Sequence, residues 1–322
     1  MKKVKVSTFF RENREKLNLE LLSTKEGFKK EIKDKDLHRP GLAFTGFFNI
    51  FPFKKIQILG NCEITYLKNL TEPEIKRVLS EFFNYNIPCI IITDNNKPPD
   101  ILISIAKQKG VSVFRTSLPT NIIFHDLLDY LEDKFSPEIT IHASLVDVYG
   151  VGLLFTGRSG IGKSEITLDL IERGHRLVSD DMVTIKKKGK DILIGSGSEF
   201  MKHFIEIRGL GIIDVMKVFG IRGIRLQKRI EVEVLLEDVK DITSYDRTGL
   251  DKKYTEYLGV KIPLIRLPIF PGKNITVISE VIALNQLLKT YGYDSAKEFD
   301  DKLIKALYKK SKLKEFIKGA IE

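Results

Sequence analysis

The chain has 322 residues, of which 43% are hydrophobic and 30% are charged, a balance typical of a globular protein with room for two domains. Its two cysteines, Cys62 and Cys89, are too few for a disulfide framework and favour a reducing compartment. The formal charge of +10 is concentrated at the two ends, and the residues between them are neutral overall, which argues against a basic groove for nucleic acid.

The chain also shows no signal for a membrane. No apolar run approaches the roughly 18 residues that a membrane-spanning helix needs, and the basic start lacks the apolar segment of a signal peptide. We therefore expect a cytoplasmic protein that binds neither a membrane nor nucleic acid.

The first part of the chain predicts helices that alternate with strands. Residues 10–33 suit helical segments, and Ser23 with Glu26 has the pattern of a capping box. The predicted strands are 56–60, 89–94 and 111–117, and the predicted helices are 72–85, 99–110 and 121–135. This alternation predicts an α/β domain over residues 1–135, for which the sequence indicates no ligand.

Residues 136–322 predict a second domain that is rich in short strands. Residues 138–157 predict two strands joined at 150–152, and residues 175–196 predict further strands with a turn at Gly189. Helices are predicted from about residue 279. The fold class is therefore α/β with two domains.

The segment FTGRSGIGKS, residues 155–164, contains the pattern G-x-x-x-x-G-K-[ST] without a mismatch. A buried strand is predicted before it and a helix after it, which is the context that this P-loop motif requires. Its backbone N–H groups would face a polyphosphate, its lysine would contact the outer phosphates, and its hydroxyl would help to hold Mg²⁺. The predicted nucleotide-binding residues are Gly157, Arg158, Ser159, Gly160, Ile161, Gly162, Lys163 and Ser164.

Further stretches accompany the P-loop: HRPGLAFTGFF (38–48), IQILGNCEITYL (56–67), LVSDD (177–181), EIRGLGIIDV (206–215) and PGKN (271–274). With the P-loop they resemble the HPr kinase/phosphorylase family over nearly the whole chain. The resemblance implies an ATP-dependent kinase that phosphorylates a seryl residue of HPr, the phosphocarrier protein of the sugar phosphotransferase system. It also implies the reverse phosphorolysis, in which inorganic phosphate removes that group.

The resemblance has further implications for assembly and fold. It implies a homohexamer that uses Mg²⁺ and regulates carbon metabolism. It implies a C-terminal domain that resembles the phosphoenolpyruvate-carboxykinase P-loop fold rather than the protein-kinase fold. The chain lacks the H-R-D and D-F-G signatures of protein kinases, which agrees with that expectation.

The resemblance also assigns catalytic roles. The implied catalytic residues are His142, Lys163, Asp181 and Arg247, with Asp181 as the base that accepts the seryl proton. From the residues alone, either Asp180 or Asp181 could be that base, because adjacent carboxylates raise the pKa of one of the two. Arg247 is expected to clamp charge in the transition state, and in the implied oligomer it would act across a subunit boundary.

Two further segments carry implied roles. The implied metal residues are Ser164 and Glu206, with Glu206 either a direct ligand or a second-sphere group and Arg208 supporting them. The glycines at 209 and 211 suggest a close backbone approach near the site. The reaction motif comprises Glu206, Ile207, Arg208, Gly209, Leu210, Gly211 and Asp214. The segment linked to phosphorolysis comprises Pro268, Ile269, Phe270, Pro271, Gly272 and Lys273. In this segment Phe270 stands where the family usually carries arginine, so kinase activity is the better supported direction.

Two alternatives remain at this point. A P-loop ATPase or a small-molecule kinase on the same fold would keep the nucleotide site but lack a surface for a protein substrate. A DNA-binding regulator with a nucleotide switch would use the basic ends of the chain, although the neutral middle argues against it.

Overall fold

The structure of the protein, a computed structural model, describes residues 2–198, 202–238, 252–270 and 272–319, with side chains up to residue 308. The chain divides into two compact units, Met1–Ser136 and Pro137–Glu322. None of the helices in the described part of the chain combines the length and apolar character that a membrane crossing requires.

The first unit is built on a five-stranded sheet. The strands of this unit are β1 (Val4–Lys5), β2 (Glu20–Leu21), β3 (Glu31–Ile32), β4 (Leu37–His38), β5 (Ile56–Leu59), β6 (Cys89–Ile92) and β7 (Ser112–Arg115). Its α-helices are α1 (Val6–Asn13), α2 (Gly41–Phe44), α3 (Asn61–Asn69), α4 (Glu72–Phe82), α5 (Asp100–Gln108) and α6 (Thr120–Phe135). The sheet has the order β2-β7-β6-β5-β4, in which only β2 is antiparallel to its neighbour, and β1 pairs separately with β3.

Both faces of this sheet are covered, which explains its continuous apolar strands. In β6, Ile90 and Ile92 pack with α3, α4 and α5, whereas Cys89 and Ile91 pack with α1 and α6 on the opposite face. The strands predicted at 56–60, 89–94 and 111–117 and the three helices predicted between residues 72 and 135 are therefore confirmed within a few residues of their bounds.

The helical prediction for residues 10–33 is wrong beyond Asn13, where α1 ends. Two short strands and a 3-10 helix over Glu26–Lys29 follow instead. The predicted capping box does not form, because Ser23 is used elsewhere. Its hydroxyl donates to the carbonyl of Val111 and accepts from the N–H of Val113, both at 2.8 Å. A tertiary hydrogen-bond partner has replaced the local one.

The second unit contains two larger sheets and one hairpin. Its strands are β8 (Glu138–His142), β9 (Ser144–Val148), β10 (Val151–Thr156), β11 (Arg176–Ser179), β12 (Met182–Lys188), β13 (Ile192–Gly197), β14 (Phe204–Ile207), β15 (Gly211–Asp214), β16 (Gln227–Arg229), β17 (Val232–Asp238), β18 (Lys253–Tyr257) and β19 (Val260–Ile269). Its α-helices are α7 (Lys163–Glu172), α8 (Val215–Phe219), α9 (Ile275–Thr290) and α10 (Ser295–Gly319).

The larger sheet has six strands in the order β11-β9-β10-β17-β19-β18, with β10, β17 and β19 parallel. The smaller sheet, β16-β13-β12-β8, is antiparallel, and β14 forms a hairpin with β15. Helices α7 and α9 pack on one face of the six-stranded sheet, and apolar residues of the four-stranded sheet pack on the other. The P-loop therefore leaves the carboxyl end of a buried parallel strand.

Residues 138–157 form three strands rather than the two predicted. The chain leaves the four-stranded sheet after β8 and enters the six-stranded sheet with β9, so it changes sheets at Ala143. The turn between β9 and β10 lies at Tyr149 and Gly150, which both have positive φ, and Val151 already belongs to β10. Strands that switch sheets commonly form corners of this kind.

A second sheet change lies directly beside the first. The chain leaves the six-stranded sheet after β11 and enters the four-stranded sheet with β12, crossing at Asp180 and Asp181. The N–H of Ala143 donates to the carbonyl of Asp181 at 3.1 Å and joins the two crossings. Two polar sequence segments that are almost forty residues apart are thereby brought together.

Candidate active site

The P-loop joins the end of β10 to the start of α7 and requires its glycines. Gly157, Gly160 and Gly162 have φ values of 141°, 77° and 107°, a region that glycine adopts far more readily than other residues. A Cβ atom on Gly157 would also lie only 2.6 Å from the carbonyl oxygen of Leu236. The predicted strand, loop and helix are confirmed over this segment.

The side chain of Lys163 lies inside this loop and is nearly buried. Its ammonium donates to the carbonyl oxygens of Gly157 at 3.2 Å and Arg158 at 3.3 Å. Burial lowers the pKa of Lys163, while the carboxylates of Asp180 and Asp181 act in the opposite direction. The loop thus surrounds one cation with backbone groups.

The two adjacent aspartates have different environments. Asp180 is only 3% exposed, and its carboxylate accepts hydrogen bonds from the hydroxyls of Ser144 and Ser164, the latter at 2.8 Å. Burial raises the pKa of Asp180, and the two serine hydroxyls counteract that shift. The side chain of Asp181, by contrast, is 52% exposed.

Asp181 occupies a tight turn at the sheet change. Its φ is 66°, and the N–H of Met182 donates to the carbonyl of Asp180 across it at 2.8 Å, the pattern of a γ-turn. Aspartate and asparagine tolerate positive φ better than most residues. The Nδ1 atom of His142, the last residue of β8, lies 2.8 Å from Oδ1 of Asp181. The two implied catalytic side chains therefore contact each other.

These groups face one open cleft with a volume of about 120 Å³. The cleft is lined by His142, Ser159, Gly160, Gly162, Lys163, Ser164, Glu165, Asp180, Asp181, Glu206 and Arg208. Five structural elements contribute to it: the end of β8, the P-loop, the start of α7, the crossing from β11 to β12, and the hairpin of β14 and β15.

The hairpin brings its own charged residues to the P-loop. A Cβ atom on Gly160 would lie 2.6 Å from Nη2 of Arg208, so the guanidinium lies against the loop backbone. The close backbone approach predicted at Gly209 and Gly211 does not involve the protein's own atoms, because apart from adjacent residues no described atom lies within 4 Å of a Cβ built on either glycine. Both have positive φ values, of 86° and 94°, so the turn explains these glycines instead.

Other implied residues lie apart from the cleft. Asp214 caps α8 by accepting from the N–H of Lys217 at 3.1 Å. In the phosphorolysis segment, Nζ of Lys273 lies 5.0 Å from the ring centroid of Phe270 and donates to the carbonyl of Pro268 at 3.3 Å. None of the described residues between 268 and 273 lines the cleft. Arg247 and Pro271 lie outside the described residues.

The sequence interpretation missed two polar residues of the site, Ser144 and Glu165. Ser144 follows His142 by two residues, the period that places strand residues on one face. The chain changes sheets at Ala143, between these two residues, so this period does not apply here, and the break between β8 and β9 was not predicted. Glu165 follows the P-loop pattern directly, and its position in the first turn of α7 could have been inferred.

The oxygen atoms in this cleft suit Mg²⁺. Ser164, Glu206 and the two aspartates supply hydroxyl and carboxylate oxygens, the ligand type that Mg²⁺ prefers. The described residues contain no group of three His, Cys, Asp or Glu side chains arranged to hold a metal. A Mg²⁺ ion here would therefore depend on one or two protein oxygens, on waters and on nucleotide phosphates, as is usual for this ion.

Comparisons with known proteins identify relatives over both units. The family described as HPr Serine kinase N terminus matches residues 4–131, and HPr Serine kinase C-terminal domain matches residues 133–303. The HPr kinase/phosphorylase of Chloroherpeton thalassium is 49% identical over 304 residues, which are 94% of this chain and 89% of that protein. That of Prosthecochloris aestuarii is 48% identical over 317 residues, 98% of this chain and 93% of that protein.

Among solved structures, the HPr(Ser) kinase/phosphatase from Coxiella burnetii is 34% identical to the chain, with a TM-score of 0.44. The match covers 48% of this chain and 99% of that one.

Proposed function

The chain belongs to the HPr kinase/phosphorylase family, and we propose that it transfers a phosphoryl group from ATP to a seryl hydroxyl of HPr. The reverse reaction is phosphorolysis of seryl-phosphorylated HPr by inorganic phosphate. The family resemblance and the two-domain α/β fold predicted from the sequence are confirmed. The observation that carries the proposal for the site is the contact between His142 and Asp181 beside the P-loop.

The P-loop would bind the phosphates of ATP. Its backbone N–H groups and the N-terminus of α7 favour an anion, and Lys163 adds a full positive charge. The guanidinium of Arg208 lies against Gly160 and brings a second cation to the same loop. Phosphoryl transfer depends mainly on positioning and on positive charge near the transferred group, and this loop supplies both.

Asp181 is our candidate for the base. Its exposed carboxylate can be reached by a seryl side chain on the surface of another protein, whereas the buried Asp180 cannot. The hydrogen bond with His142 would hold the carboxylate in one orientation. In the kinase direction, Asp181 would take the proton as the serine oxygen bonds to the γ-phosphorus of ATP and the bond from that phosphorus to the leaving ADP breaks. In phosphorolysis, the same group would return that proton to the serine oxygen as its bond to phosphorus breaks and inorganic phosphate takes the phosphoryl group, which gives pyrophosphate.

Ser164 and Glu206 are our candidates for the metal ligands. The hydroxyl of Ser164 donates its proton to Asp180, so its lone pairs remain available for a cation. Glu206 brings a carboxylate to the same cleft from β14. Held by these residues, Mg²⁺ would supply positive charge that neutralises the charge of the nucleotide phosphates.

We place catalysis in residues 136–322, since the P-loop, both aspartates and Glu206 all lie there. Four expectations stay predictions from the sequence and its family resemblance. They are the homohexamer, a role for Arg247 across a subunit boundary, the likeness of the C-terminal domain to phosphoenolpyruvate carboxykinase, and the cytoplasmic location.

Measuring ATP consumption with and without purified HPr tests the proposed function. We expect turnover that depends on HPr. A P-loop ATPase or a small-molecule kinase would consume ATP equally in both cases. A DNA-binding regulator would be distinguished by salt-sensitive retention on DNA at physiological ionic strength, which we do not expect.

Phe270 stands where the family usually carries arginine, which predicts that phosphorolysis is weaker relative to kinase activity than is usual in the family. Phe270→Arg should raise the ratio of phosphorolysis to kinase rate, because it adds a cation that can help to hold inorganic phosphate. It also removes the ring that Lys273 contacts. The measurement compares initial rates in both directions for the wild type, Phe270→Arg and Phe270→Leu, which removes the ring without adding charge. An unchanged or lower ratio in Phe270→Arg contradicts the prediction.

A further inference from the structure

Ser144 contacts the carboxylate of Asp180 but does not line the cleft. Its side chain is fully buried at the start of β9, and its hydroxyl donates to Oδ1 of Asp180. The other oxygen of that carboxylate, Oδ2, accepts the proton of Ser164 at 2.8 Å. One carboxylate therefore connects a serine in the sheet to the serine that ends the P-loop.

These hydrogen bonds restrict rotation of the Asp180 carboxylate and of the Ser164 hydroxyl. Asp180 is 3% exposed and has a serine hydroxyl on each oxygen, so rotation of its carboxylate would break two hydrogen bonds. As long as the Ser164 hydroxyl donates its hydrogen bond to Oδ2 of Asp180, the lone pairs of that hydroxyl oxygen point in a fixed direction, away from Asp180. Without Ser144, Oδ1 would lose its serine donor, and only the Ser164 hydroxyl and the backbone N–H of Asp181 would hold the carboxylate, so its orientation would be less restricted.

We propose that Ser144 is a positioning residue for the metal site, which acts through Asp180 to orient the hydroxyl of Ser164 toward Mg²⁺. The inference rests on the proposed function, because it takes Ser164 as a ligand of the metal that accompanies the nucleotide. Ser144 itself contacts neither the nucleotide nor the metal in this proposal. Its effect should therefore appear in metal binding and not in binding of the nucleotide alone.

Partners that orient a metal ligand typically contribute about 10–100-fold to metal affinity. We expect Ser144→Ala and Ser144→Val to weaken Mn²⁺ binding to the complex with a non-hydrolysable ATP analogue by about that factor. Affinity for the analogue in the presence of a chelator should stay within about twofold of the wild type. Ser144→Thr retains a hydroxyl and should restore most of the metal affinity.

Threonine and valine have nearly the same shape, and only threonine carries a hydroxyl. Comparing Ser144→Thr with Ser144→Val therefore separates the effect of the hydroxyl from the effect of a larger side chain at this buried position. Ser279→Ala serves as a matched control, because Ser279 is also fully buried in the second unit but donates to the carbonyl of Ile275 within α9. It should leave Mn²⁺ binding unchanged. Thermal unfolding of each variant identifies any that fails to fold.

The experiment measures Mn²⁺ binding by electron paramagnetic resonance and analogue binding by calorimetry, with and without metal. Weaker metal binding in the valine variant than in the threonine variant supports the inference. Equal metal affinity in the two variants, whether normal or reduced, overturns it. If the wild type itself bound the analogue equally well with and without metal, the metal assignment in the proposed function would fail first, and this inference with it.

Discussion

Lys163→Ala should abolish phosphoryl transfer in both directions. The ammonium lies inside the P-loop, where two backbone carbonyls hold it, and no other lysine lines the cleft in the described part of the chain. A single positive group placed on a transferred phosphoryl can contribute about 10³–10⁵-fold, so we expect a loss of at least roughly 10³-fold. Initial rates of HPr phosphorylation and of phosphorolysis measure it.

Lys217→Ala is the matched control for this variant. Lys217 lies on α8 in the same unit, is largely exposed and is absent from the lining of the cleft, so its loss removes one charge without touching the site. It should leave both rates nearly unchanged. Near-normal turnover in Lys163→Ala would show that the P-loop assignment is wrong.

Asp181→Asn should reduce kinase turnover by about 10²–10⁴-fold, the usual contribution of a positioned general base. A seryl hydroxyl is a poor nucleophile at neutral pH, and the amide cannot accept its proton. Asparagine tolerates the positive φ of this position and can still contact His142, so the variant should keep the geometry of the turn. Nucleotide affinity should change little because the P-loop is intact. Phosphorolysis should fall too.

Asp180→Asn provides the comparison for this prediction. Asp180 accepts from Ser144 and Ser164 and is too buried to meet the substrate, so its substitution should act mainly on Mg²⁺ and reduce transfer less. Single-turnover transfer to HPr, with nucleotide affinity measured separately, distinguishes the two variants. Normal transfer in Asp181→Asn with loss in Asp180→Asn would reverse the two roles. Normal transfer in both would place the base elsewhere, with His142 as the next candidate.

The P-loop could be predicted from the sequence because its requirements are local. Gly157, Gly160 and Gly162 each adopt a positive φ within a few residues of the lysine that they surround. The apolar strands on either side of the site were predictable for the same reason, because runs of consecutive apolar residues, such as those of β10, indicate a buried strand. The family resemblance, in turn, rested on short motifs that need no knowledge of the fold.

The difference between Asp180 and Asp181 could not be predicted from the residues alone. Their neighbours in sequence are shared, and only the change of sheets buries one carboxylate against Ser144 and leaves the other exposed beside His142. The early helical prediction was wrong for a related reason. Ser23 has a suitable helix-capping pattern, but hydrogen bonds to Val111 and Val113 tie it to a distant part of the chain.

The most direct test of the central claim is to incubate the protein with HPr, ATP and Mg²⁺ and to locate the phosphate on HPr by mass spectrometry. We expect one phosphoryl group on a seryl residue of HPr, removed again when inorganic phosphate is added in excess. ATP hydrolysis without any phosphate on HPr, or phosphate on a residue other than serine, would contradict this account.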